Sequence, residues 1–126
     1  WEGGHDAEAR DAYLRAIDLF EADLAVTPGD ANREASLALA LGRTGRLDLA
    51  SRHVERALEL APADAYILYP VAQVRLMAGE VGPALDLLAR ALEAGYPAED
   101  VRRDPELAQL RSDPRFARML KTSAKN

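Results

Sequence analysis

Few residues in this sequence have the types and spacing that catalysis or metal binding requires. The two histidines, His5 and His53, are far apart, and neither has a second ligand at the spacing of a metal site. His53 falls on the polar side of a predicted helix, where we expect it to be solvated. Ser36, Ser51 and Ser112 lie outside any motif that would mark a nucleophile. With no glycine-rich phosphate loop and no paired acid and base, the sequence predicts neither an enzyme nor a cofactor site.

Composition narrows the classes of protein that remain. The chain has 126 residues, a length typical of one domain, and its 48% apolar content is enough to bury a core. It has no cysteine, which excludes disulfides and thiol chemistry. No apolar run approaches the ~18 residues that a membrane span needs. We therefore expect a cytoplasmic protein with no membrane partner.

Charge is distributed unevenly along the chain. Residues 1–100 carry 18 acidic and 9 basic side chains, whereas residues 101–126 carry 3 acidic and 7 basic ones. The body is too acidic to hold a phosphate backbone, so we expect no nucleic-acid partner. The basic tail has two open interpretations: contact with an acidic partner, or a solvated helix that complements the acidic body.

The strongest signal is an internal repeat along the middle of the chain. The segment 56–59 reappears unchanged 34 residues later at 90–93. Pro62 likewise has a counterpart 34 residues earlier, Pro28. Regular recurrence at such a period is typical of arrays built from one supersecondary unit. The residues that recur at this distance are Ala38, Gly45, Ala50, Ala57 and Leu58, matched by Ala72, Gly79, Ala84, Ala91 and Leu92.

Each unit is predicted to be a helix, a turn and a second helix. Asp30 and Asp64 stand where an N-cap is needed, because an aspartate can accept hydrogen bonds from the free amides of a first turn. Gly45 and Gly79 are expected to end the first helices in the left-handed conformation. The helices are predicted at 31–43 and 47–60 in one unit and at 65–78 and 82–94 in the next. Pro70 falls inside one of them and is expected to bend it.

This pattern resembles the tetratricopeptide repeat, a family with about 34 residues per unit and small residues where helices pack closely. The resemblance covers one unit at 31–64 and a second at 65–97. It implies an all-α fold, an α-solenoid of antiparallel helix pairs with short C-terminal capping helices. The end of the chain, from Tyr96 to Phe116, resembles the C-terminal arrays of bacterial multidomain regulatory proteins.

The two ends of the predicted domain depart from the repeat. Residues 1–30 match the second half of a unit, with a helix about two turns longer than the second helix of the other units. The first helix of this unit would precede Trp1, which suggests a fragment of a larger protein. Residues 98–126 are predicted as capping helices that start at Asp104 and Asp113, followed by a frayed tail from Lys121. The half unit is matched at Gly4, Ala9, Tyr13, Ala16 and Ile17.

The resemblance also implies where a partner would bind, because first helices line the concave surface in this family. Tyr66 and Tyr69 lie three residues apart on one helix face, and tyrosine suits binding surfaces; packing against a neighbouring unit is the alternative for both. Some family members bind the terminal carboxylate of a partner protein through lysine and asparagine side chains at fixed positions. In this sequence those positions are Ala35, Leu39, Tyr69 and Gln73, so we do not expect a partner that binds through its terminal carboxylate. The predicted binding surface comprises Asn32, Ala35, Leu39, Arg43, Tyr66, Tyr69, Gln73 and Met77.

Two functions follow from this architecture. The first is a protein-protein interaction module that binds a protein or peptide segment on the predicted binding surface. The alternative is a structural element that self-associates through the open face of its N-terminal half unit, where we expect Tyr13 and Ile17 to be available.

Overall fold

The chain is all-helical in a computed structural model, which describes the backbone of residues 2–125 and the side chains of residues 7–123. Trp1, Asn126 and the side chain of His5 therefore lie outside the described residues. Residues 2–125 contain no strand, as the sequence predicts. The elements are α1 (Glu2–Val26), α2 (Ala31–Arg43), α3 (Leu47–Leu60), α4 (Ala65–Met77), α5 (Val81–Glu93), α6 (Ala98–Arg103), a 3₁₀ helix (Pro105–Leu110) and α7 (Pro114–Lys125).

The predicted caps fix where the central helices begin. Asp30 has an extended backbone, and its carboxylate accepts a hydrogen bond of 3.1 Å from the backbone N–H of Arg33. Asp64 does the same for the N–H of Tyr66 at 2.9 Å. These bonds satisfy amides that a first turn leaves free. Helices α2 and α3 match the predicted bounds, α4 ends one residue earlier than predicted, and α5 both begins and ends one residue earlier.

Glycine closes the first helix of each pair, as predicted. Gly45 and Gly79 have φ values of 82° and 80°, a region that other residues rarely adopt. Past Gly45, the N–H of Arg46 donates to the carbonyl of Leu41 at 2.8 Å, and the equivalent bond past Gly79 measures 2.9 Å. Both turns therefore have the same geometry, that of a Schellman motif.

Two helix pairs form the centre of the molecule. Helix α2 packs most extensively on α3, and α4 packs most extensively on α5, while α2 and α3 both contact α4. The short loops inside each pair imply that its helices run antiparallel. Six alanines at the crossings are fully buried, and larger side chains there would hold the helices apart. They are Ala38, Ala50, Ala57, Ala72, Ala84 and Ala91.

Helix α1 precedes the two pairs and packs mainly on α2. Ile17 is buried, and Tyr13 is half-buried against the same core. Ile17 is thus a core residue of the isolated chain and is not available for stacking of copies. The outward side of α1 is exposed at Leu19 and Val26.

The C-terminal elements close the other end of the core. Asp104 caps the 3₁₀ helix and Asp113 accepts a 2.8 Å hydrogen bond from the N–H of Arg115, so both predicted helix starts are confirmed. The sequence predicts a frayed tail from Lys121, and in the structure α7 runs from Pro114 to Lys125. Pro70 lies within α4, which remains one helix across it. The buried apolar residues of this end are Val101, Leu107, Leu110, Phe116 and Leu120.

Candidate functional site

The predicted binding surface is divided in the structure into accessible and buried parts. Asn32 and Tyr66 are exposed, with Tyr66 at 64%, and Leu39 and Met77 are half-buried. Arg43 keeps part of its side chain in solvent. Three members are buried, namely Ala35, Tyr69 and Gln73. Those three side chains cannot contact a partner in this conformation.

The Asp104 carboxylate explains why two of the expected binding residues are buried. The hydroxyl of Tyr69 donates to Asp104 Oδ2 at 2.5 Å, and the side-chain amide of Gln73 donates to the same oxygen at 2.9 Å. The other oxygen, Oδ1, accepts the backbone N–H of Glu106 at 2.9 Å. Hydrogen bonds to a charged acceptor are about twice as strong as neutral ones. Tyr69 and Gln73 therefore do hold a carboxylate, but it belongs to the same chain.

The ionisation of Tyr69 reflects this environment. Burial raises the pKa of the Tyr69 hydroxyl, and the hydrogen bond to the Asp104 carboxylate raises it further. The hydroxyl therefore remains protonated and keeps its role as a donor.

Arg43 connects three parts of the chain. Its guanidinium forms an ion pair with Glu106 of the 3₁₀ helix, and its central carbon lies 5.5 Å from the ring centre of Tyr13 on α1. The second contact has the geometry of a cation–π interaction. The pKa of Arg43 is raised above its usual value. Desolvation acts to lower this pKa, and the hydrogen bond to Glu106 is the main cause of the rise. The segment 104–106 thus crosses α4 and reaches α2.

Three tyrosines form an aromatic cluster beside that segment. The rings of Tyr69 and Tyr96 are stacked with their centres 4.1 Å apart, and Tyr66 is tilted against Tyr96 at 5.4 Å. Tyr69 is buried beneath, Tyr96 is half-buried, and Tyr66 presents the exposed edge. Such pairs stabilise their members beyond the burial of area alone, so Tyr66 has a rigid support.

A second polar contact, between Glu34 and His53, was missed at the level of sequence. Glu34 is only 3% exposed, and its Oε2 lies 2.6 Å from Nδ1 of His53. Arg56 approaches the other carboxylate oxygen at 3.5 Å. The expectation of a solvated His53 was therefore wrong, because a buried carboxylate requires a hydrogen-bonded partner. The repeat could have indicated that these two positions are buried, since the residues at the same positions in the next unit are the apolar Leu68 and Leu87.

A groove of about 830 Å³ separates α5 from α7 at the end of the molecule. Leu92, Tyr96 and Met119 contribute apolar surface to it, and Arg115 and Arg118 lie along its α7 side. No sequence pattern points to this groove, because it depends on how far apart two distant helices pack.

The described side chains do not assemble a metal site: between residues 7 and 123, no three of the His, Asp and Glu type lie close enough together. None of the described helices combines the length and the apolar character that crossing a membrane demands. Comparison with the models of known protein families gives no match. A search of curated proteins likewise finds no relative of this chain.

Proposed function

We propose that this chain is a short tetratricopeptide-like array that acts as a protein-protein interaction module. The observation that carries the proposal is the equivalence of the two helix pairs. The same aspartate cap, the same glycine turn and the same buried alanines recur from one pair to the next. Units of this kind expose a continuous surface formed by successive first helices, and binding is the common use of that surface.

The accessible part of the predicted binding surface is the place where a partner segment would lie. Tyr66 is the best anchor on it, because its ring is exposed while Tyr96 supports it from below. A large aromatic side chain that is already ordered loses little conformational entropy on binding, which is characteristic of energetic hot spots. Asn32 is exposed and Leu39 is half-buried on α2, and in this proposal they would add polar and apolar contact.

The segment 104–106 limits the shape of that site. Asp104 and Glu106 occupy the polar groups of Tyr69, Gln73 and Arg43, so a partner would bind beside this segment and not in its place. Displacing the segment would also expose Leu107, which is buried. Complete burial of such a side chain is worth about 1.5–3 kcal/mol.

Capture from a cell lysate tests the proposal. The informative variant is Tyr66→Ala alone, because Tyr69→Ala would also remove a buried hydrogen bond and a stacked ring. Leu60→Ala is the matched control, since Leu60 is an exposed large apolar residue on α3, outside the predicted binding surface. Bound proteins are identified by mass spectrometry, and the affinity of each purified candidate is then measured by calorimetry.

We expect wild type and Leu60→Ala to retain the same partner and Tyr66→Ala to lose it. A hot-spot tyrosine contributes about 2 kcal/mol or more, which corresponds to a roughly 30-fold weaker affinity. If all three proteins retain the same partners, or none, binding at Tyr66 is excluded.

A further inference from the structure

The outward side of α1 carries an apolar stripe with acidic neighbours. Leu19 is 66% exposed and Val26 is 83% exposed, and Ala22 lies between them on the same side of the helix. Residues at positions i, i+3 and i+7 of a helix share a face. Residues 18–26 include three acidic side chains and no basic one, and one of the three, Asp23, pairs with Arg33 of α2. Asp18, next to the stripe, forms no ion pair with any side chain of residues 7–123.

The groove between α5 and α7 has the complementary character. Its apolar lining includes Leu92 and Met119, and Arg118 lies along its edge. Arg118 forms no ion pair within the part of the chain whose side chains are described, whereas Arg115 pairs with Asp86. Glu93 is the acidic member of the lining, and because Asp86 already pairs with Arg115, Arg118 is the cation that an acidic side chain of a second copy can meet.

The two ends of the chain are opposite in charge on a larger scale as well. Residues 1–30 carry eight acidic and two basic side chains, a net charge of −6. Residues 101–126 carry three acidic and seven basic side chains, a net charge of +4. Complementary charge of this kind accelerates encounter and selects the orientation in which two surfaces meet.

We infer that the outward stripe of α1 docks in the α5–α7 groove of a second copy, so that copies associate head to tail. The dimensions agree: Leu19 to Val26 spans about 10 Å of helix, and Arg115 to Ser123 spans about 12 Å, at a rise of about 1.5 Å per residue. The mode is that of an amphipathic helix laid in an apolar groove, with Leu19 and Val26 as anchors. Asp18 then meets Arg118 at the edge.

Both complementary surfaces lie on one chain, which is why a second copy is the favoured occupant. The donor and acceptor surfaces differ, so the contact is heterologous, and each bound copy leaves a free α1 and a free groove. Such a contact builds chains or rings and not closed two-fold dimers. This inference does not depend on partner binding at Tyr66, because Tyr66 belongs to neither surface.

Analytical ultracentrifugation of matched variants tests the inference. Leu19→Asp disables the stripe and leaves the groove intact, whereas Arg118→Glu disables the groove and leaves the stripe intact. Both positions are exposed, so the helical fold should persist, which circular dichroism verifies. Leu60→Asp on α3 is the control for an added acid at an exposed apolar site.

We expect the average mass of wild type and Leu60→Asp to rise with protein concentration and to fall as salt is added, since salt screens the charges at the edge. Leu19→Asp and Arg118→Glu should each associate at least about tenfold more weakly. An equimolar mixture of these two variants should form a 1:1 dimer and nothing larger, because it contains one intact stripe and one intact groove.

Three results would overturn the inference. The first is a wild type that stays monomeric at every concentration and salt level. The second is self-association of Arg118→Glu as strong as that of wild type, which would indicate a contact that does not use the groove. The third is a mixture of folded Leu19→Asp and Arg118→Glu that forms no dimer.

Discussion

The pair formed by Glu34 and His53 permits a sharp test of the equivalence between the two helix pairs. The same positions in the second pair are held by Leu68 and Leu87, both buried. The perturbation replaces the polar pair by its apolar counterpart, first singly, as His53→Leu and Glu34→Leu, and then together.

The structure determines the expected magnitudes. His53→Leu leaves the Glu34 carboxylate, 3% exposed, with only the more distant guanidinium of Arg56 at 3.5 Å. Breaking a buried pair from one side costs about 3–5 kcal/mol. Because His53 is half-buried and Arg56 remains, we expect a loss of about 2–3 kcal/mol. The double variant removes both polar groups, so it should be neutral or more stable by about 1–4 kcal/mol.

Denaturant unfolding followed by circular dichroism measures these free energies for wild type, both single variants and the double variant. The non-additivity of the cycle should exceed about 2 kcal/mol, because the two side chains are in direct contact. The reciprocal change in the second pair, Leu68→Glu with Leu87→His, is the control and should be destabilising. A double variant that loses as much stability as the two single variants combined would refute the equivalence.

Four other predictions each concern the substitution of a single residue. Asp104→Ala should lower the free energy of unfolding, measured by denaturant titration, by about 3–5 kcal/mol, because it removes a helix cap and leaves buried donors unpaired. Asp104→Asn keeps an oxygen acceptor and should lose less of this free energy. The pKa of Tyr69 is raised on folding, so as pH rises the unfolded chain releases this proton before the folded chain does. The contribution of the Tyr69 hydroxyl to the free energy of unfolding is therefore complete below pH ~10 and declines as pH rises above it. The stability difference between wild type and Tyr69→Phe should therefore shrink above that pH, and a constant difference would contradict the assignment. Gly42→Ala places a methyl group 2.9 Å from Sδ of Met77, a flexible side chain that can move, so the gain in helix propensity should leave the protein up to about 1 kcal/mol more stable. Gly79→Ala should instead cost about 1–2 kcal/mol of unfolding free energy, since φ is 80° there.

The central helices were predictable because their signals are local. Asp30 and Gly45 mark the ends of α2 through bonds to residues within one turn, and the repeat supplies a second copy of each signal. The frayed tail is predicted from position in the chain alone, whereas the extent of α7 to Lys125 depends on the burial of Phe116 and Leu120 against distant residues.

The environment of the predicted binding surface was not predictable, because it depends on contacts between distant residues. Asp104 carries a local signal as a helix cap, and that signal is correct. Nothing local indicates that the same carboxylate meets Tyr69, which lies on a different helix far earlier in the chain. Position in a repeat can place Tyr69 and Gln73 on a helix face, but it cannot tell whether another segment covers that face.

The ion pair between Arg43 and Glu106 has a consequence for how the molecule unfolds. In a linear array each unit contacts its neighbours alone, so an end can open while the rest stays folded. Here a bond between residues 63 apart in sequence connects the last elements to the first helix pair across α4. Opening of the C-terminal end therefore also removes a contact of α2, and amide hydrogens of α2 and α4 should exchange with solvent in one cooperative step.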